Sequence, residues 1–81
     1  VNKFNVEVIA LYNLDGDITP LKIRVKTAET ENVYNVNKPG KPVKGASLKI
    51  GVQGNRYPCF INGKRAFLYL DHENKWFVEL V

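Results

Sequence analysis

Hydrophobic and polar positions alternate with a period of two along most of the chain, the signature of strands rather than helices. From Phe4 to Leu14 the even positions Phe4, Val6, Val8, Ala10, Tyr12 and Leu14 are apolar, and Lys3, Asn5, Glu7 and Asn13 between them are polar. Ile9 and Leu11 break the alternation, which predicts a long strand that is apolar on both faces at its centre. Asp15-Gly16 is a turn pair that favours positive φ. A second strand follows from Ile18 to Lys26, with Leu21, Ile23 and Val25 facing one way and Lys22, Arg24 and Lys26 the other.

Thr27–Asn32 is polar and turn-like, and Val33, Tyr34 and Val36 form a short third strand. Pro39-Gly40-Lys41-Pro42 interrupts any regular element, because proline cannot donate to a strand ladder. Ala46–Val52 alternates like a short strand through Leu48, Ile50 and Val52, although Gly45, Gly51 and Gly54 bracket it. Asn62-Gly63 is the strongest hairpin signal in the chain, a two-residue type I′ turn pairing Asn55–Ile61 with Lys64–Leu70. A further reversal near Glu73-Asn74 leads into Lys75–Leu80 and completes a three-stranded meander. No apolar stripe at helical spacing, low-complexity run or internal repeat occurs. The fold class expected is all-β: a small antiparallel barrel or coiled sheet of about five to six strands, SH3-like, with an OB-like barrel as the alternative.

The hairpin register assigns faces, because side chains alternate across a strand. Tyr57, Cys59, Ile61, Ala66, Leu68 and Leu70 share one side, the expected core. Arg56, Pro58, Phe60, Arg65, Phe67 and Tyr69 share the other, an aromatic surface dotted with arginines. If the last turn centres on Glu73-Asn74, Phe77 pairs with Leu70 on the core side and Trp76, Val78 and Leu80 extend the aromatic face. A longer loop swaps these two sets. The second apolar face is either covered, by curling of the sheet or by Ile9 and Leu11 of the first strand, or left open for a partner.

Length and composition narrow the class. Eighty-one residues make a single domain, residues 1–81, burying about 60–65% of its unfolded surface; one core fits, and a core plus a deep enzyme cleft does not fit well. Hydrophobic residues at 44% and charged residues at 25% are ordinary for a globular chain. No run approaches the ~20 apolar residues of a membrane span, and the residues around Phe4 lack the apolar core of a signal peptide. Cys59 is the only cysteine and cannot form an internal disulfide, which fits a cytoplasmic protein.

A net charge of +4 favours acidic partners, nucleic acid first. Lys22, Arg24 and Lys26 form a basic stripe, and Lys38, Lys41, Lys44 and Lys49 cluster in or near the Pro/Gly loop. Such stripes also serve solubility and edge protection. Chemistry is harder to find. His72 is the only histidine, in an Asp71-His72-Glu73 turn with no cluster to complete a metal site. Cys59 falls on the core face and lacks a base. Gly51 and Gly54 make no phosphate loop, and Asp15 and Asp17 read as turn residues. No catalytic residue, metal or cofactor is expected.

The run Gly54-Asn55-Arg56-Tyr57-Pro58-Cys59-Phe60-Ile61-Asn62-Gly63, followed by Trp76-Phe77-Val78-Glu79, resembles a group of short uncharacterised bacterial proteins. Members also carry a segment like Ile9-Ala10-Leu11-Tyr12, then Asp15-Gly16 and Ile18-Thr19-Pro20-Leu21. The resemblance spans most of the chain, with Thr27–Val43 matching least. It implies a free-standing small protein and transfers no functional residue.

These readings lead to a non-catalytic binding module. Aromatics interleaved with arginines suit stacking of single-stranded bases and neutralisation of phosphates. Arg56, Phe60, Arg65, Phe67 and Tyr69 would form the platform, with Lys22, Arg24 and Lys26 adding charge. The same face also suits a protein partner or homodimerisation; a membrane partner is not expected.

Overall fold

The computed structural model describes residues 4–47 and 51–81, with only the backbone described at residues 46 and 47. The described residues are all-β and hold seven strands: β1 (Asn5–Tyr12), β2 (Ile18–Lys26), β3 (Glu31–Asn37), β4 (Val43–Ser47), β5 (Val52–Ile61), β6 (Lys64–Leu70) and β7 (Trp76–Leu80). All pair antiparallel in one sheet ordered β3-β2-β1-β7-β6-β5-β4. A further β3–β5 pairing closes six of them into a ring, and β4 lies along the free part of the β5 edge. Two meanders therefore face each other, β1–β2–β3 and β5–β6–β7. Their seams are narrow: Asn5 and Val6 pair with Phe77 and Trp76 at one, and Val36 and Asn37 pair with Ile61 and Phe60 at the other.

Seven strands exceed the five to six expected for the fold, and the short strand expected at Ala46–Val52 is replaced by β4 and the start of β5. The stretch Ala46–Val52 is not one strand, because Ser47 sits opposite Val52 in the β4–β5 pairing. Leu48 and Ile50, which carried that expectation, lie outside the described residues. Gly54 sits where β5 runs tightest: an added Cβ would collide with the Leu70 carbonyl oxygen and lie 2.9 Å from the Asp71 Cα.

Turn chemistry fixes most of the register. Asn62 and Gly63 adopt φ of 52° and 77°, as a type I′ turn requires, and the hairpin runs from Ile61↔Lys64 to Arg56↔Tyr69 as the sequence predicts. The β1–β2 and β6–β7 loops share one design. Asn13 Oδ1 accepts the amides of Asp15 and Asp17 at 3.0 and 2.9 Å; Asp71 Oδ1 accepts those of Glu73 and Lys75 at 2.9 Å each. Each loop also places a residue of positive φ fourth, Gly16 or Asn74.

The Asp71 loop spans one residue more than a turn centred on Glu73-Asn74 allows, so Leu70 pairs with Trp76 and Tyr69 with Phe77. Trp76 and Val78 accordingly belong to the core, and Phe77 to the outer face. The core fills the ring with Val6, Ile23 and Val36 from one meander and Tyr57, Leu68 and Trp76 among those from the other. The Tyr57 and Trp76 rings meet at 5.4 Å between centroids, tilted by 43°, within the favourable range for aromatic pairs.

Candidate functional site

The outer face of β5–β6 holds the predicted platform, and its burial is graded along the strands. At one end Tyr69 is 1% exposed and packs with Val52 and Phe77 in a second apolar cluster, joined by half-buried Phe67. The Tyr69 hydroxyl donates to Glu79 Oε1 at 2.9 Å. Tyr69 is thus a packing residue and not a surface for ligand; alternation placed it on the outer side but could not show that this end is covered. At the other end Phe60 is 37% exposed, with Arg65 directly opposite it and exposed.

Cations lie against both remaining rings. The Arg56 guanidinium carbon is 4.8 Å from the Phe67 ring centroid, and Lys38 Nζ is 6.0 Å from that of Phe60, both within reach of a cation–π attraction. Arg56 is half-buried and lies against Gly45 of β4, where an added Cβ would meet its side chain at ordinary contact distance, 3.7 Å from Nε. That Nε is buried without a hydrogen-bond partner. Lys38 was legible only as part of a basic loop. Its approach to Phe60 follows from the loop's return to β5, where the Gly40 amide donates to the Pro58 carbonyl at 2.7 Å. Lys38, Gly40, Pro58, Phe60, Arg65 and Phe67 line a shallow groove of about 410 Å³.

The basic stripe of β2 does not join this groove. Lys22, Arg24 and Lys26 are exposed on the opposite meander, and acids from both neighbouring strands neutralise two of them. Arg24 contacts Glu7 of β1 at 2.8 Å and Glu31 of β3 at 3.2 Å, and Lys26 reaches Glu7 at 3.3 Å. Hydrogen bonds from Arg24 and then Lys26 hold the Glu7 carboxyl below its ordinary value, and the bond to Glu7 raises Arg24. Lys22 has no ion-pair partner among the described residues. Lys41 and Lys44 are exposed, and Lys49 lies outside the described residues.

Ile9 and Leu11, available on sequence grounds to cover the second face of the hairpin, do not do so. They are 58% and 55% exposed on the outer side of β1, and Val33 of β3 is 55% exposed. Cys59 is buried, its thiol within 3.7 Å of the Ala66 carbonyl, and burial pushes its pKa up to about 11. The Asp71 carboxylate is occupied by backbone amides, and no group of three or more His, Cys, Asp or Glu side chains converges among the described residues. No helix among them is long and apolar enough to cross a membrane. No protein family, curated protein or solved structure matches the chain.

Proposed function

We propose that the chain is a non-catalytic binding module whose ligand is a single-stranded nucleic acid, bound along the Lys38–Phe60–Arg65 end of the β5–β6 face. The alternation of cations and rings carries this reading: Lys38 beside Phe60, Arg65 across from it, and Arg56 over Phe67. Phe60 offers a π-face for one base. Arg65 flanks it from the adjacent strand, Lys38 from just beyond β3, and Arg56 lies four residues back along β5, an arrangement suited to phosphates on either side of the base. Glu79, the acid of that face, is engaged by Tyr69. Tyr69 drops out of the platform, as do Lys22, Arg24 and Lys26, because acids beside the stripe oppose a polyanion. In fold terms we read the ring as a small SH3-like barrel.

Fluorescence anisotropy with a labelled oligothymidylate tests this. Binding should weaken steeply with salt, since each neutralised phosphate releases counterions. Phe60→Ala should weaken it by about tenfold, the equivalent of one stacked base, and Arg65→Ala should flatten the salt dependence. Absence of binding at low salt, or binding indifferent to salt, would remove the reading.

A second reading rests on a different surface. Exposed Ile9 and Leu11 of β1 lie beside the Glu7–Arg24–Glu31 ion cluster, apolar surface edged by charge as at a protein interface. Sedimentation velocity over a range of concentrations tests self-association; a chain that stays monomeric throughout rules out a homodimer.

A further inference from the structure

The two ends of the ring differ. Toward one end Pro20, Leu70 and Trp76 are buried and fill the interior. At the other, a cavity of about 470 Å³ opens among inward-facing side chains, chiefly Ile23, Val25, Tyr34, Ile61 and Val78, with Phe4 and Leu80 on its rim. That volume lies within the range of small-molecule pockets, about 300–1,000 Å³, and barrel mouths are among the places where such pockets occur.

One charged side chain faces the same way. Lys64 begins β6 two residues before Ala66, and Ala66, Leu68 and Leu70 all point into the ring. By alternation Lys64 stands on the inward side, and it borders the cavity. Glu79 also borders it, but its carboxylate is turned to Tyr69 on the outer face. The Lys64 ammonium therefore has no acidic partner among the described residues, and it stands at the lip of an apolar cavity.

We propose that this mouth binds a free medium-chain carboxylic acid, with its chain among Ile23, Val25, Ile61 and Val78 and its carboxylate on Lys64. The site is separate from the nucleic-acid face and does not depend on it. A long apolar chain accounts for the lining, and the Lys64 cation selects an anionic head over a neutral or cationic one.

Amide chemical-shift titration of the full chain with hexanoate, octanoate and decanoate, each below its micelle concentration, tests the assignment. Affinity should rise with length by up to about fourfold per methylene, as expected for burial of apolar surface. Shifts should centre on Val25, Ile61 and Val78. Decyltrimethylammonium should bind about threefold to fivefold more weakly than decanoate, the scale of one partly exposed ion pair. Lys64→Glu, at an exposed position that should not affect folding, should reverse that preference. Affinity indifferent to chain length, shifts centred elsewhere, or an unchanged preference in Lys64→Glu would each overturn the proposal. Binding to phosphatidylglycerol vesicles without binding to the free acids would overturn it too, assigning the mouth to a lipid surface.

Discussion

The two meanders of the ring are each three strands long, yet they bury very different surfaces. The β5–β6–β7 meander is packed on both sides: Tyr57, Leu68 and Trp76 fill the ring, and Tyr69 and Phe77 form a second cluster outside it. The β1–β2–β3 meander buries Val6, Ile23 and Val36 inward and leaves Ile9, Leu11 and Val33 in solvent. Arg24 and Lys26 on its outer face are held by Glu7 and Glu31 in surface ion pairs, which contribute little to stability. The C-terminal half therefore holds the fold together, and the N-terminal half is the thinner wall with surface to spare. Stability is thus divided unequally between them, and on the C-terminal wall only the Phe60 end of the β5–β6 face stays open, since an apolar side chain that is already packed has nothing left to offer a partner.

The largest test of that division is Leu68→Ala. Leu68 is 0% exposed at the centre of β6, so truncation removes its transfer energy and leaves a cavity, costing about 3 kcal/mol. Urea unfolding would measure it. A loss no greater than that of an outward β1 substitution would break the comparison.

Cys59 reports on the same wall by a different route. Burial raises its pKa from 9.0 to about 11, so at pH 8 its thiolate fraction should be about a hundredfold below that of an ordinary thiol. Modification by a disulfide reagent should be slowed at least that much and become fast on unfolding. The folded state holds this proton more tightly than the unfolded chain does. The stability it contributes is complete below the unfolded value near 9 and is lost as pH rises through about 11. Burial raises Tyr57 as well, so its contribution has the same sign.

Tyr69→Phe is a smaller and more pointed perturbation. It keeps the ring in its cluster and removes the hydroxyl bond to Glu79, costing about 1 kcal/mol. A stability unchanged in this variant would mean that the outer cluster is looser than the inner one and would return Tyr69 to the candidate platform.

How much of this was legible follows the turns. Asn62-Gly63 announces both its conformation and its length, so every pair of the β5–β6 hairpin could be read from the sequence. Asp71 does not announce that its carboxylate will organise a longer loop, although Asn13-Leu14-Asp15-Gly16-Asp17 repeats the arrangement, so the sequence alone leaves the β7 register open. Alternation gives the side on which a residue lies and never what lies above it, so Tyr69 and Phe60 looked equivalent. The neutralised stripe depends on β2 lying between β1 and β3, which brings Glu7 and Glu31 to Arg24. The Lys38–Phe60 contact depends on a loop folding back onto Pro58. Both are long-range facts of pairing.

Leu11→Ala should have the smallest effect, and for that reason it probes the thinner wall best. Leu11 is 55% exposed and sits opposite Thr19 of β2, so an isolated chain loses little packing and a few tenths of strand preference. The expected change is within about 0.5 kcal/mol. The measurement gains force when repeated at high protein concentration. A cost that stays small there means the β1 wall remains in water, whereas a cost that grows with concentration means that a second copy covers Leu11, because only a buried leucine loses that much on truncation.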